Sequence, residues 1–174
     1  VSTELDHRVG ERRLRVGYLG RLTPSKGIAT LCQAMSSLNA NGIEYALVIC
    51  GAPVFASDEE RAEVEDALAR VAAFSTLLCW TTPYRLFGDI DMLVVPSIAP
   101  ESFGLVVAEA MSARVPVIVS DAGALSEVLG GASYPYVVHA DQPVALAQAI
   151  KSLGTELRED TDALAERTSE LFWR

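Results

Sequence analysis

The chain has 174 residues, half of them hydrophobic, and carries a formal net charge of -9 with an isoelectric point near 4.7. This length suits a single domain with one sizeable core. The acidic balance argues against nonspecific nucleic-acid binding, which relies on a basic face. The sequence contains no apolar run that approaches the ~20 residues of a membrane span and no signal peptide, so we expect a cytoplasmic protein. Its three cysteines lack the spacing of metal ligands, and we expect neither a metal ion nor a cofactor.

After a polar lead-in of residues 1–13, the apolar pattern alternates between the periods of strands and helices. Strands are predicted, in chain order, at residues 14–19, 45–50, 75–80, 91–95, 116–120 and 135–138. Helices are predicted at residues 28–38, 58–73, 83–87, 104–113, 124–129, 141–153 and 156–174. The alternation predicts an α/β fold, namely a Rossmann-like, doubly wound parallel sheet of about six strands within three αβα layers.

The loops after the first and fourth strands are the predicted ligand site. In doubly wound sheets a ligand binds where the strand order reverses, which in the common order 3-2-1-4-5-6 lies between strands one and four. The two loops contain Gly20, Arg21, Lys26 and Gly27, and Glu101, Ser102, Phe103 and Gly104. Gly104 opens a helix, whose free N–H groups and positive dipole end suit phosphate oxygens. Arg21 and Lys26, which we call the anion clamp, can add charge-assisted hydrogen bonds, so the site suits a diphosphate.

Glu109 is a charged residue within an otherwise apolar helix, and such side chains are rarely buried unless a partner satisfies them. Two interpretations are open. The carboxylate reaches solvent or a neighbouring arginine, or it accepts hydrogen bonds from the two hydroxyls of a ribose attached to the diphosphate. The first loop matches neither G-x-G-x-x-G nor G-x-x-x-x-G-K-[ST], which argues against a dinucleotide oxidoreductase and a P-loop NTPase.

Several short motifs occur together in one order: Gly20-Arg21-Leu22 with Lys26-Gly27, Pro96-Ser97, Glu101-Ser102-Phe103-Gly104-Leu105 with Glu109-Ala110-Met111, Pro116-Val117-Ile118 and Glu127. In this order and spacing, over residues 14–153, the chain resembles the donor-binding C-terminal domain of the retaining GT-B glycosyltransferases of the glycosyl transferases group 1 family, or GT4. The resemblance implies one half of a GT-B fold. It also implies metal-independent transfer of a sugar from a nucleoside-diphosphate sugar to an acceptor hydroxyl, with retention at the anomeric carbon.

The resemblance further implies roles for individual residues. Arg21 and Lys26 would have catalytic roles at the diphosphate, Glu101 would have one at the donor sugar, and Glu109 would bind the ribose. The remaining contacts to the nucleotide-sugar are implied for a set of loop residues: Gly20, Trp80, Thr82, Ser102, Phe103, Gly104 and Leu105. Trp80 would stack on the base, although an ordinary core tryptophan explains that residue equally well.

Residues 14–174 correspond to the donor domain alone, so the resemblance implies that the N-terminal acceptor domain of a longer protein is missing. This chain would then bind a nucleotide-sugar without turnover, and any membrane contact would lie in the missing domain. The family commonly has glycine where Arg114 and Ala124 stand, and an acidic residue where Ala52 stands, which leaves the identity of the donor open. Two other classes stay open: half of a nucleotide-sugar 2-epimerase and a noncatalytic nucleotide-binding module.

Overall fold

The computed structural model describes residues 13–43, 45–55, 57–78, 83–129 and 134–172, and six strands within these ranges form one parallel sheet. The strands are β1 (Leu14–Leu19), β2 (Tyr45–Cys50), β3 (Ser75–Leu78), β4 (Met92–Val95), β5 (Val117–Ser120) and β6 (Val137–Val138). The helices are α1 (Ile28–Ala40), α2 (Asp58–Val71), α3 (Pro83–Phe87), α4 (Leu105–Ser112), α5 (Leu125–Val128), α6 (Pro143–Glu159) and α7 (Thr161–Phe172). Short 3₁₀ helices cover Pro24–Lys26 and Ala72–Phe74. In the part of the chain described here, every helix is too short or too polar to cross a membrane.

The strand order β3-β2-β1-β4-β5-β6 confirms the predicted doubly wound sheet and places the reversal between β1 and β4. β1 pairs with β2 over its whole length, from Leu14 opposite Tyr45 to Leu19 opposite Cys50. On its other side β1 pairs with β4, with Val16 opposite the first residue of that strand. The loops that leave the carboxyl ends of β1 and β4 are therefore neighbours in space.

Helices cover both faces of the sheet, because alternate residues of each strand point to opposite faces. In β2, Leu47 and Ile49 belong to a core that also contains residues of α1, α2 and α6. Val48 and Cys50, the alternate residues of the same strand, belong to a second core with residues of α3, α4 and α5. Strands that are buried on both faces read as continuous apolar runs, which is the pattern that the sequence shows. The two cores give the three predicted αβα layers.

The predicted break between the last two helices is wrong. We expected a helix to end at residue 153, but α6 continues through Gly154 to Glu159. An added Cβ at Gly154 would lie 2.2 Å from the hydroxyl oxygen of Tyr45, so this glycine permits close packing on β2 and does not end the helix. The chain breaks at Asp160 instead, whose Oδ1 accepts a hydrogen bond from the N–H of Ala163 in the first turn of α7.

Arg114, where the resemblance leads us to expect glycine, adopts the left-handed backbone conformation that favours glycine, with a φ of 61°. It follows the end of α4, and its N–H donates a hydrogen bond to the carbonyl oxygen of Met111 at 3.0 Å. A residue with a side chain pays about 1–2 kcal/mol for this conformation. Arginine in place of glycine at this position therefore destabilises the local backbone conformation.

Candidate functional site

The loops after β1 and β4 are joined by main-chain contacts. The carbonyl oxygen of Ser25 accepts hydrogen bonds from the N–H groups of Ile98, at 2.9 Å, and Ala99, at 3.1 Å. Gly27, with a φ of 69°, lies so close to Pro96 that an added Cβ would be 1.8 Å from the Pro96 carbonyl oxygen. The two loops therefore form one structural unit at the point where the strand order reverses.

A cleft of about 400 Å³ opens beside these loops, within the usual range of about 300–1,000 Å³ for small-molecule sites. Six of the predicted site residues line it: Gly20, Arg21, Lys26, Glu101, Leu105 and Glu109. The fold thus brings together the two halves of the predicted site, which are far apart in the sequence. The wall also contains Tyr18, Ser97 and Val106, which were not among the predicted site residues.

Glu101 is held through both its side chain and its main chain. The Lys26 ammonium forms an ion pair with Oε1, and Ser97 Oγ donates a hydrogen bond to the same oxygen at 2.6 Å. The N–H of Glu101 donates to the carbonyl oxygen of Ala122 at 3.3 Å, and its own carbonyl accepts from the N–H of Ala124 at 2.9 Å. The carboxylate therefore has a defined position at the cleft.

The charges at the cleft follow from these contacts. Burial raises the pKa of the Glu101 carboxyl, but the hydrogen bonds from Lys26 and Ser97, together with the charges of Lys26 and Arg21, outweigh burial and lower the pKa overall. Burial raises the pKa of the Tyr18 hydroxyl, and the Glu101 charge raises it further. At neutral pH Glu101 is thus a carboxylate and Tyr18 a neutral donor, which bonds to the carbonyl oxygen of Arg21 at 2.7 Å.

The N-terminus of α4 supplies backbone donors to the cleft. Gly104, with a φ of 73°, is the N-cap, as the sequence predicts, and its carbonyl accepts from the N–H groups of Val107 at 2.9 Å and Ala108 at 3.3 Å. The N–H groups of Leu105 and Val106 precede these first intrahelical bonds, and both residues line the cleft. Two backbone donors and the positive end of the helix dipole make this position suitable for an anion.

Glu109 lies about one turn into α4, half-buried, in the wall of the same cleft. Its carboxylate makes no hydrogen bond or ion pair with any residue that the structure describes, and the neighbouring arginine of the first interpretation is not found among them. Ser112 Oγ donates to the main-chain carbonyl of Glu109 at 2.7 Å and leaves the carboxylate available. As far as the described residues go, the carboxylate is therefore available to solvent or to a ligand in the cleft.

The remaining predicted residues fall outside the cleft wall or outside the described ranges. Trp80 and Thr82 lie outside the described residues, so their contact with a base stays a prediction. Pro83, which begins α3 directly after that loop, does line the cleft. Ser102 and Phe103 are exposed in the loop before α4. Within the described ranges, no group of three or more His, Cys, Asp and Glu side chains is placed to hold a metal ion.

The three cleft residues that we did not predict, Ser97, Tyr18 and Val106, differ in how clearly the sequence indicates a role at the site. Ser97 stands between a buried strand and Glu101, and a small polar residue at that place is a usable signal. Tyr18 and Val106 gave no such signal, because an aromatic residue in a strand and a valine in an apolar helix are ordinary core residues.

Comparison with known proteins identifies the family to which the chain belongs. The sequence pattern of the family described as "Glycosyl transferases group 1" matches residues 5–170. The lipopolysaccharide 1,2-N-acetylglucosaminetransferase of Salmonella typhimurium is 28% identical over 164 residues, which are 90% of this chain and 42% of the relative. The D-inositol 3-phosphate glycosyltransferase of Corynebacterium urealyticum is 30% identical over 158 residues, which are 86% of this chain and 36% of the relative. The chain thus spans less than half of the length of these relatives.

Solved structures share the fold. Anabaena Alr3699/HepE, crystallised with UDP-glucose, superposes with a TM-score of 0.79 at 21% identity, over 92% of this chain and 44% of that one. The C-terminal domain of the group 1 glycosyl transferase LpcC of Francisella tularensis superposes with a TM-score of 0.74 at 20% identity, over 91% of this chain and 83% of that one. The match to a C-terminal domain fits the expectation of one half of a GT-B fold. Since the family pattern covers nearly the whole sequence, the chain belongs to the glycosyl transferases group 1 family.

Proposed function

We propose that this chain is the donor-binding domain of a retaining GT4 glycosyltransferase, which transfers a sugar from a nucleoside-diphosphate sugar to an acceptor hydroxyl. One observation carries the proposal: the cleft at the reversal between β1 and β4 is lined by two cations, two glutamates and the first residues of α4. Membership of the group 1 family supports the same assignment.

The diphosphate would bind between the anion clamp and the N-terminus of α4. Arg21 is exposed at the cleft, and the Lys26 side chain is 25% exposed, so both can reach a bound anion. The backbone N–H groups of Leu105 and Val106 would complete its coordination, since hydrogen bonds to charged oxygens are short and strong. Three kinds of donor then converge on one anion.

The two glutamates would bind the sugars on either side of the diphosphate. Glu101 is a carboxylate at neutral pH and would accept hydrogen bonds from hydroxyls of the donor sugar. Glu109 lies further along α4 and would accept from the two hydroxyls of the ribose. A vicinal diol satisfies a carboxylate without a second charge, and it would account for a half-buried glutamate that has no cationic partner among the described residues.

The cationic groups also suit the reaction. The bond between the anomeric carbon and the diphosphate oxygen breaks, the acceptor oxygen bonds to the same face of that carbon, and the proton of the acceptor hydroxyl passes to the departing diphosphate. Negative charge grows on the departing diphosphate, and preorganised donors that face this charge lower the barrier. Arg21, Lys26 and the α4 N-terminus would supply here the stabilisation that a divalent cation supplies in other transferases.

The acceptor would bind outside this chain. The relatives are more than twice as long as the part that this chain matches. We infer that an N-terminal acceptor domain in the longer protein completes the reaction site, and that this chain alone binds the donor without turnover.

Isothermal titration calorimetry tests the binding site. UDP, GDP and ADP, and the sugars of each, are titrated into the wild-type chain. We expect one nucleotide to bind, and Lys26→Ala or Arg21→Ala to weaken its binding by roughly 10–100-fold, because each removes a hydrogen bond to a charged group worth about 1.5–3 kcal/mol. Lys151→Ala, which removes a lysine from the exposed face of α6, is the matched control and should bind as the wild type does. Unchanged binding by both clamp variants would refute the clamp.

Glu109→Gln tests the ribose contact. It should weaken the nucleoside diphosphate roughly tenfold and leave the affinity for inorganic diphosphate unchanged, because only the former carries the diol. Equal losses for both ligands would show that the side chain acts on the phosphates. Incubation of the full-length protein with a radiolabelled nucleotide-sugar and an acceptor then tests transfer. Epimerised donor, or binding without turnover, would instead favour one of the two other classes.

A further inference from the structure

Two buried serines, Ser120 and Ser97, connect strand ends to the Glu101 carboxylate through one hydrogen bond each. Ser120, the last residue of β5, donates from Oγ to the carbonyl oxygen of Ser97 at 2.6 Å. Ser97, which follows β4, donates from its own Oγ to Glu101 Oε1 at 2.6 Å. Both serines are only 1% exposed. The carboxyl ends of β5 and β4 are thus connected to one oxygen atom at the cleft.

Packing alone does not account for these hydroxyls. A buried hydroxyl costs free energy unless it is hydrogen-bonded, and an alanine at either position would fill nearly the same space without that cost. Here each hydroxyl donates to an acceptor on the path to Glu101. Ser120 fixes the backbone of Ser97, and Ser97 fixes the carboxylate, so the two bonds act in series.

The Glu101 Oε1 atom accepts hydrogen bonds from Lys26 and Ser97, and only Lys26 can also reach an anion in the cleft. Lys26 and Ser97 both bond to this atom, whereas Oε2 has no hydrogen-bond partner among the described residues. An anion in the cleft competes with Glu101 for the Lys26 ammonium. The Ser97 hydroxyl is buried and has no such alternative, so its bond to Oε1 remains when the ammonium turns to the anion. Oε2 then stays available to a ligand, on a carboxylate that is still fixed.

We propose that Ser97 and Ser120 are positioning residues, which hold the Glu101 carboxylate in place for the donor sugar after Lys26 has turned to the diphosphate. The proposal rests on the proposed function, because it assigns the sugar to Glu101. It implies that the two serines affect the affinity for the sugar part of the donor and leave the affinity for the nucleoside diphosphate unchanged.

Two measurements on the same variants test the proposal. The first is the pKa of the Glu101 carboxyl, followed by carbon-13 NMR on chain labelled at glutamate and assigned with Glu101→Gln. Ser97→Ala should raise this pKa, because it removes a donor to the charged form. Ser120→Ala should raise it less, because the Ser97 hydroxyl is still present. Ser112→Ala, which removes an exposed hydroxyl elsewhere on α4, is the control and should leave it unchanged.

The second measurement compares UDP-glucose with UDP by calorimetry. Ser97→Ala should weaken UDP-glucose roughly tenfold, the factor that about 1.4 kcal/mol produces, and leave UDP unchanged. Equal weakening of both ligands would overturn the proposal, because the serine would then support the cleft as a whole. A Glu101 pKa that stays at its wild-type value in both serine variants would also overturn it. If Ser97→Ala does not fold, Ser120→Ala decides by the same criteria.

The two proposals fail in different ways. If the wild-type chain binds neither ligand nor any other nucleotide-sugar of the panel, the proposed function fails. The NMR measurement then still decides the role of the serines, because it needs no ligand: a raised Glu101 pKa in Ser97→Ala supports positioning of the carboxylate, and an unchanged pKa refutes it.

Discussion

Gly27 lies where the two site loops meet, and its replacement by alanine tests whether that contact holds the site together. The left-handed φ of 69° and the 1.8 Å approach of a new Cβ to the Pro96 carbonyl oxygen are separate obstacles. Gly42 provides a matched control, because its φ of 76° is similar but an added Cβ would meet nothing within 4 Å. The difference between Gly27→Ala and Gly42→Ala isolates the contact between the loops.

The magnitude follows from the local geometry. The left-handed conformation costs each alanine variant about 1 kcal/mol, so Gly42→Ala should lose about 1 kcal/mol of unfolding free energy. In Gly27→Ala the new Cβ and the Pro96 oxygen must separate from 1.8 Å to at least 3.0 Å, the shortest distance that real Cβ atoms show. That movement pulls apart the two hydrogen bonds to the Ser25 carbonyl, worth about 1 kcal/mol each. Gly27→Ala should therefore lose about 3 kcal/mol.

Urea unfolding, followed by circular dichroism and by tryptophan fluorescence, measures both losses at equilibrium. The wild type and the two variants should show the same dependence of free energy on urea, with shifted midpoints. If the proposed function holds, Gly27→Ala should in addition lose the binding of whichever nucleoside diphosphate the wild type binds, since the loops that carry Lys26 and Glu101 no longer meet. Equal destabilisation by the two substitutions would refute the reasoning, because the overlap with Pro96 would then cost nothing.

Two further predictions concern single side chains. Arg114→Gly should raise the unfolding free energy by up to about 1 kcal/mol without changing nucleotide binding, because it relieves the left-handed φ of 61° at an exposed position; a lower urea midpoint would contradict this. Glu101→Gln should lower stability at neutral pH, because the folded-state pKa of Glu101 lies below its ordinary value of 4.5 and the charged form is favoured in the folded protein. This stability is fully present above the ordinary value and is lost as pH falls through the folded-state pKa, so the urea midpoints of the wild type and Glu101→Gln should approach each other as pH falls below 4.5 and converge once it is below the folded-state pKa; a gap that stays constant as pH falls would contradict the assignment.

The fold was readable from the sequence because its signals are local. Strands buried on both faces, such as β2, read as continuous apolar runs, and the helices between them carry their own period. The wrong boundary at the end of α6 shows the limit of local signals. Gly154 resembles a helix stop in the sequence, yet it is there because Tyr45, more than a hundred residues away, packs against it.

Six of the predicted site residues line the cleft, but the contacts between them could not be predicted from the sequence. Glycines and charges in the loops after β1 and β4 identified Arg21, Lys26 and Glu101 from composition and from the reversal rule. Their arrangement differs from a simple clamp, since the Lys26 ammonium forms an ion pair with Glu101 in the structure and would have to give up that partner to bind the proposed diphosphate. The donor that shares the Glu101 oxygen, Ser97, gave a weaker signal in the sequence.

The sequence by itself determined which elements form, which two loops border the cleft and which charged residues line it, because hydrophobic period, loop composition and helix-opening glycines act over a few residues. Only the tertiary structure decided which groups touch. Lys26 and Glu101 are 75 positions apart, and Ser97 and Ser120 are 23 apart. Such pairs meet because parallel strands align their carboxyl ends at one edge of the sheet, and the register between strands fixes which loop atoms face each other. That register is a property of the assembled sheet, and the sequence of a single segment does not determine it.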